Sequence, residues 1–266
     1  MKLSEKDFET LKRVVDILEN PTLTAKVTDL IGMPIEKAFE YLPEKWSDKV
    51  GEITHIALKK ALELSLQSMD LKYTGSSSNG LHKLLCGVSG GLGGAFGLPA
   101  LSIELPVSTT IMLRSIADVA RSEGEDLNEI TSKLACLEVF ALGGKSNADD
   151  STETGYFAVR AALAKSISEA AKFIAEKGLT EEGAPALVRF IVQIATRFGV
   201  QVSEKAAAQA VPLIGAAGGA IINVLFTDHF QMMASGHFTV RRLERKYEPE
   251  FIKAEYGKIK ENFKKK

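Results

Sequence analysis

Four ionisable residues interrupt apolar stretches of this chain and are the first candidates for chemistry. Glu104 and Glu138 each stand between aliphatic residues, and Asp228 and His229 follow a long uncharged segment. A buried charge must be paired, coordinated to a metal or neutralised by a shift of its pKa. These side chains are therefore candidates for metal ligands or for a general acid and base inside a helical core. The other interpretation is that they form structural ion pairs and helix caps.

The spacing of these residues does not match a metal-binding motif. The Glu-x-x-His element of helical metal proteins is absent. Asp228 and His229 are adjacent, so on a helix they point about 100° apart and are not expected to bind one ion. We expect no metal and no cofactor, and predict salt bridges such as Glu104 or Glu138 with Arg114. Asn223 is a further candidate for a buried polar residue.

One serine lies in a pattern that occurs in hydrolases. Residues 87–91 fit G-x-S-x-G around Ser89, but a nucleophile in that pattern follows a strand and precedes a helix. No strand is predicted before Ser89, and a chance match is expected in a tract this rich in glycine. A phosphate-binding lysine motif and a His-Glu-x-x-His motif are also absent. The sequence favours a non-enzymatic protein and assigns no catalytic residue.

Two uncharged segments, residues 84–103 and 206–227, account for much of the hydrophobic excess in the composition of the chain. Each reaches the length of about 20 residues that a membrane-spanning helix needs, but Gly, Ala and Ser contribute little to insertion. Several glycines are spaced by four, which on a helix forms a strip where a second helix or a lipid can approach closely. Three interpretations stay open: buried core helices, a transmembrane hairpin, or helices that lie against a bilayer. The strip consists of Gly87, Gly90, Gly91, Gly93, Gly94 and Gly97, with Gly215 and Gly219 in the second segment.

Charge is distributed unevenly along the chain. The 266 residues carry a net charge of −1, which gives no overall preference for nucleic acid. Residues 241–266 contain ten Lys or Arg and five Asp or Glu, so this segment carries +5. Basic residues near anionic lipid contribute about 1 kcal/mol each. We therefore treat Arg241, Arg242 and Arg245 as candidates for phosphate contact, with a solvated basic helix as the alternative.

Helical periodicity continues from one end of the chain to the other, and no run alternates with the period of a strand. The sequence predicts an all-α fold, a single multi-helix domain with the two Gly-rich segments at its centre. Its expected parts are N-terminal helices in residues 1–43, a helical domain over 44–247 and a basic helix or tail over 248–266. Pro106 is predicted to open one helix, and Gly199 to separate two others.

Composition restricts the class of protein. With 45% hydrophobic and 25% charged residues, the chain is neither disordered, nor collagen-like, nor a disulfide scaffold. Its two cysteines, Cys86 and Cys136, lie in apolar surroundings, which indicates a reducing compartment. The first residues lack an apolar leader. We therefore expect a cytoplasmic protein.

Three motifs together resemble the EcsC protein family over roughly residues 40–245. They are CLEVFALGG at 136–144, GGLGGAFGLPALSIELP at 90–106, and VPLIGAAGGAIIN at 211–223, which is followed by Phe238 and by RRLE at 241–244. The family often has Asp where this chain has Glu104. The family is named for a component encoded beside a bacterial ABC transporter, so the resemblance implies a bacterial origin and an association with membrane processes. It implies no established activity and transfers no catalytic residues.

These observations together predict a non-enzymatic helical protein that associates with membrane or lipid at the inner face of the cell membrane. The family resemblance implies that the protein supports a transporter or a secretion process. A hydrolase that uses the buried carboxylates, with or without a metal, is the first alternative. A module that binds a membrane-protein partner is the second.

Overall fold

The computed structural model describes residues 2–68, 101–144, 155–178, 185–212 and 215–264. Within these ranges the chain forms ten α-helices and two 3₁₀ turns and no strand, which confirms the predicted all-α class. The helices are α1 (Glu5–Glu19), α2 (Leu23–Ile31), α3 (Ile35–Ala38), α4 (Trp46–Ser68), α5 (Leu101–Ser122), α6 (Ile130–Glu138), α7 (Tyr156–Lys177), α8 (Pro185–Ala210), α9 (Gly215–Tyr247) and α10 (Pro249–Lys264), and the 3₁₀ turns are Phe39–Tyr41 and Val139–Ala141.

Helix α9 is the longest element, with 33 residues, and extends for about 50 Å. It packs against α1, α2, α5, α8 and α10, while α4 packs against α5 and α8. Buried apolar side chains form one core that reaches from Leu3 to Ile259. The described residues of 1–43 and of 248–264 therefore pack on the same core as the described part of 44–247.

Local sequence signals explain the start of α1. The Ser4 hydroxyl accepts a hydrogen bond from the Asp7 backbone N–H at 3.2 Å, which satisfies one of the free donors at the helix start. Leu11, Val15 and Leu18 are buried, as the spacing predicts. By its spacing Phe8 falls on the same face of the helix, but it stays 38% exposed, beside Phe251 of α10.

Two predicted helix boundaries are wrong. Pro106 lies inside α5, whose described part begins at Leu101. A proline there costs one backbone hydrogen bond, and Pro106 and its neighbour Leu105 are buried. Gly199 lies inside α8. A glycine in a helix costs about 1 kcal/mol relative to alanine, and the burial of residues on both sides of it offsets that cost.

The second uncharged segment does not form one helix. Helix α8 ends at Ala210, and α9 begins at Gly215. Across the described ranges, no helix combines the length and the apolar character that crossing a membrane requires. Most of the first segment lies outside the described residues, together with Cys86, Ser89 and the glycine strip of residues 87–97.

Candidate functional site

Three helices contribute side chains to a buried polar cluster around Glu104, which we call the Glu104 cluster. Lys205 of α8 donates to both carboxylate oxygens of Glu104 of α5, at 2.9 and 2.8 Å. Asn223 of α9 donates to Glu104 Oε1 at 2.7 Å. The side chain of Lys205 is 0% exposed and that of Glu104 is 3% exposed. The cluster joins the start of α5, the end of α8 and the start of α9.

The electrostatics of the Glu104 cluster favour a charged pair. Burial alone would raise the pKa of Glu104, but the charge of Lys205 and hydrogen bonds from Lys205, Asn223 and Ser108 lower the pKa below its ordinary value. The ammonium group of Lys205 also lies 5.4 Å from the centre of the Phe226 ring, where the ring attracts a cation. These contacts favour the charged form of the Glu104 carboxylate, although both side chains are buried.

The sequence identifies two members of this cluster but not the cation. Glu104 and Asn223 are predicted candidates, and Arg114 is the predicted partner of Glu104. The structure corrects this, because Lys205 pairs with Glu104 while Arg114 is exposed on α5. Lys205 continues the buried positions Phe198 and Val202 of α8 at helical spacing. The signal that could have identified Lys205 is therefore a lysine at a position that the helical spacing assigns to the apolar face of α8.

A second cluster brings together Glu138, His237 and Tyr156, all buried. The Tyr156 hydroxyl is hydrogen-bonded to His237 Nδ1 at 3.1 Å, and His237 Nε2 lies 3.8 Å from Glu138 Oε2. No described residue forms a hydrogen bond with His237 Nε2. Glu138 also borders a cleft of about 380 Å³ that is lined by Arg160 and Arg241. His237 and Tyr156 are absent from the predicted site residues.

Burial dominates the ionisation of this second cluster. It raises the pKa of Glu138 to about 7, although Arg160 and Arg241 act in the opposite direction. Burial likewise lowers the pKa of His237 well below its ordinary value, and the same two arginines add to this shift. Burial therefore favours the uncharged forms of both side chains. In the Glu104 cluster, by contrast, the contacts favour the charged form of the carboxylate.

Asp228 and His229 face different neighbours. Asp228 is half-buried, and its Oδ2 lies 3.3 Å from Lys26 Nζ of α2. His229 Nε2 lies 3.2 Å from Gln201 Nε2, and Gln201 in turn donates to the Leu142 carbonyl oxygen. Burial lowers the pKa of His229 to about 4. In the part of the chain that the structure describes, no three His, Cys, Asp or Glu side chains are placed to hold a metal ion.

Gly143 packs directly against this histidine. Its φ is +72°, and a Cβ there would lie 2.5 Å from His229 Cε1 and 2.6 Å from Met233 Sδ. Gly143 belongs to the end of the segment 136–144, so the glycine of that motif allows α9 to approach closely. Cys136 of the same segment is a buried free thiol whose pKa burial raises to about 12.

Replacing Gly143 by alanine is expected to lower the free energy of unfolding by about 2–4 kcal/mol, because backbone strain and overpacking add. Gly32→Ala is the matched control. Gly32 has φ +69°, but no atom lies within 4 Å of the position that a Cβ would take, so its cost is the backbone strain of about 1 kcal/mol. Urea unfolding of both variants measures the difference, and equal costs would contradict the proposed collision with His229.

The three candidate phosphate-contact arginines bind carboxylates of the α5–α6 connection. Arg241 donates to both oxygens of Glu125 at 2.9 Å, and Arg245 also pairs with Glu125. Arg242 donates to Glu123 at 2.7 Å. Burial would raise the pKa of Glu125, but Arg241 and Arg245 lower it to about 2. The guanidinium groups thus hold α9 to the end of α5.

One family of proteins matches nearly the whole chain. The sequence model of the EcsC protein family matches residues 1–243. The chain belongs to the EcsC protein family. Neither the curated proteins nor the solved structures yield a match to it. The family match includes α1 to α3, which lie before the motifs that first indicate the family.

The EcsC motifs of this chain supply residues to separate clusters. Glu104 and Asn223 come from two different motifs and meet in the Glu104 cluster. Glu138 and Gly143 come from the third motif and contact His237 and His229, respectively. Of the second-segment glycines, Gly215 begins α9 and Gly219 is buried near Asn223. The motifs therefore position buried contacts between helices.

Proposed function

We propose that this EcsC family chain is a non-enzymatic peripheral membrane protein that attaches to the cytoplasmic face of the cell membrane. The attachment surface is the end of the helix bundle at the Glu104 cluster. We call it the apolar end and define it as residues 101–113, 206–210 and 215–227. Glu104 is the only charged residue in these ranges, and Lys205 neutralises it inside the core.

The observation that carries the proposal is the exposure of large aliphatic side chains at this end. Ile103 is 76% exposed and Val107 is 44% exposed on α5, and Ile221 is 46% exposed on α9. Asn223 and Glu104 are hydrogen-bonded, so the exposed residues beside them belong to the same end of the bundle. Burying an aliphatic side chain of this size contributes about 1.5–3 kcal/mol, and a bilayer interface offers that burial.

The outer face of α5 has the order of residues that an interfacial helix needs. Ile103, Val107, Thr110 and Arg114 follow one another at helical spacing. Arg114 is exposed and lies about 10 Å beyond Val107 along the axis. With the first turns in the acyl boundary, its guanidinium reaches the phosphate level.

The carboxylates of the hydrolase alternative belong to different neighbourhoods. Glu104 pairs with Lys205, Asp228 pairs with Lys26, and Glu138 lies beside His237. The fold therefore does not bring these three carboxylates together in one site. Binding of a membrane protein at the apolar end is an outcome that the following experiment separates from binding of lipid.

The double variant Ile103→Asp with Ile221→Asp is expected to lower the fraction bound to vesicles at least about tenfold, because each change removes apolar burial and adds a charge. Vesicle flotation of the whole chain measures this. Val188→Asp is the matched control, since Val188 is 41% exposed on α8 but lies about 26 Å along that helix from Lys205.

Equal flotation of the double variant and the native chain would contradict the proposed surface. If the native chain does not float with any vesicle but is retained by detergent-solubilised membrane proteins, the interaction-module alternative replaces the proposal. Circular dichroism of all variants provides the folding control.

A further inference from the structure

Glu138 and His237 meet in the core without satisfying each other's hydrogen bonds. The Glu138 side chain is 4% exposed, and no described residue donates a hydrogen bond to its carboxyl group. His237 Nε2 lies 3.8 Å from Glu138 Oε2, too far for a hydrogen bond, and also has no partner among the described residues. Buried polar groups without partners cost free energy and are rare in folded proteins. This pair therefore marks a place where a ligand can supply hydrogen bonds.

Glu138 borders the cleft of about 380 Å³, which we call the Glu138 cleft. Its other lining residues belong to α7, to the last turns of α9 and to the start of α10, and all of them lie inside described elements. Small-molecule sites have volumes of about 300–1,000 Å³. The Glu138 cleft thus has the size of a site for a small ligand.

The charges of the lining favour an anion while Glu138 holds its proton. Besides Glu138, three cations and two carboxylates line the cleft, namely Arg160, Arg241, Lys253, Glu244 and Glu250. The lining therefore carries +1 when Glu138 is protonated and 0 when it is ionised. Burial raises the pKa of Glu138 to about 7, so the protonated form predominates below neutral pH.

Hydrogen-bond donors for an anion are also present. Arg160 gives two N–H groups to Glu244, and Arg241 gives two to Glu125, so each guanidinium group uses only part of its donors. A protonated Glu138 adds an O–H donor. A carboxylate can accept from all three side chains, whereas an ammonium group meets the two arginines as like charges.

Helix α7 contributes an apolar strip to the cleft. Phe157, Ala161, Ala164 and Ile167 line it at helical spacing. Ala164 and Ile167 lie about 6 and 10 Å beyond Arg160 along the helix axis. A ligand whose carboxylate lies at Arg160 can therefore pack a short hydrocarbon chain against α7.

We propose that the Glu138 cleft binds a small organic acid, whose carboxylate accepts hydrogen bonds from Glu138, Arg160 and Arg241 and whose hydrocarbon body packs against α7. The cleft shares no residue with the apolar end, so this binding goes beyond membrane attachment and does not depend on it. Glu138 must hold a proton to donate a hydrogen bond. Binding therefore takes up a proton and weakens as the pH rises through about 7.

The pH dependence belongs to Glu138 rather than to its neighbours. The ionisable groups that face it come from α7 and α9 and are Tyr156, Arg160, His237, Arg241 and Glu244. Burial raises the pKa of Tyr156 and lowers that of His237 well below its ordinary value, so both stay neutral from pH 6 to pH 8. A free carboxylate ligand stays ionised in this range, because ordinary carboxyl pKa values are about 4.

Titration calorimetry of the full chain with hexanoate tests the proposal. The dissociation constant is expected to rise about tenfold from pH 6 to pH 8, because the protonated fraction of Glu138 falls from about nine-tenths to about one-tenth. Binding at pH 8 is expected to take up about one proton. Glu138→Gln keeps an N–H donor at this position. Its dissociation constant is expected to change less than about twofold over the same range, without proton uptake.

A pair of alanine variants tests the position of the ligand. Ala164→Glu places a carboxylate in the cleft one turn from Arg160, where it competes with hexanoate, and is expected to raise the dissociation constant at least about tenfold. Ala162→Glu is the matched control, because Ala162 is exposed on the same helix but points about 160° away from Ala164. Circular dichroism of all variants provides the folding control.

The outcomes decide the proposal without reference to lipid. A dissociation constant that is equal at pH 6 and pH 8 overturns it, and so does equal binding of hexanoate by the two alanine variants. Absence of hexanoate binding at pH 6, or binding of hexylammonium as tight as that of hexanoate, overturns it as well. Vesicle flotation tests membrane attachment separately, so either proposal can fail alone.

Discussion

Replacing Lys205 by methionine is expected to lower the free energy of unfolding by about 3–5 kcal/mol, the largest effect of a single substitution that we expect in this chain. The variant leaves the Glu104 carboxylate buried, with Asn223 and Ser108 as its remaining hydrogen-bond partners among the described residues. Without the ammonium group, the largest contribution that lowers the pKa of Glu104 is lost, so the carboxyl must take up a proton or stay ionised in the core. Urea unfolding at neutral pH measures the loss.

A second variant distinguishes a lost charge pair from poor packing. The double change Glu104→Gln with Lys205→Met removes both charges, and we expect it to be more stable than Lys205→Met alone. Lys60→Met, on the exposed surface of α4, is expected to stay within about 0.5 kcal/mol of the native chain. A Lys205→Met variant as stable as the Lys60→Met control would show that the buried pair contributes nothing.

Replacing Glu138 by glutamine is the second change with a large expected effect. We expect it to raise the free energy of unfolding by an amount that depends on pH. The pKa of the Glu138 carboxyl is about 7 in the folded chain, whereas its ordinary value, which applies to the unfolded chain, is 4.5. The folded state therefore holds a proton that the unfolded state releases, so stability falls as pH rises from about 4.5 to 7 and stays low above. The full penalty is about 3 kcal/mol.

Glu138→Gln removes this penalty because the amide is neutral at every pH. We expect the variant to match the native chain near pH 4.5 and to exceed its free energy of unfolding by about 3 kcal/mol at pH 8. The charged groups that face the site, Arg160, Arg241 and Glu244, remain in both proteins. Denaturant unfolding across this pH range is the measurement. Glu52→Gln, an exposed change on α4, supplies the baseline, and a difference that stays constant with pH would contradict the shifted pKa.

Much of the fold could be predicted because its signals are local. The Ser4 cap, the buried face of α1 and the all-α class follow from residue types at helical spacing. The predictions at Pro106 and Gly199 were wrong for the opposite reason. Each residue carries a local helix-breaking tendency, and burial of the surrounding side chains overrides it.

The candidate site could be predicted in part. Glu104, Glu138 and Asn223 stand out because isolated polar residues in apolar surroundings must be satisfied after burial. Their partners do not stand out, since Lys205 looks like an ordinary helix lysine until its face is known. The same holds for Arg241. Its guanidinium group can donate paired hydrogen bonds to a phosphate as well as to a carboxylate, and in the fold it donates them to Glu125.

The sequence by itself determined the helical class, the family motifs and the uneven division of charge between an acidic body and a basic end. Only the tertiary structure decided which charges meet. Lys205 and Glu104 are 101 residues apart in sequence, and Arg241 and Glu125 are 116 apart. Periodicity acts over a few turns of one helix, whereas an ion pair depends on how helices that are distant in sequence pack against one another.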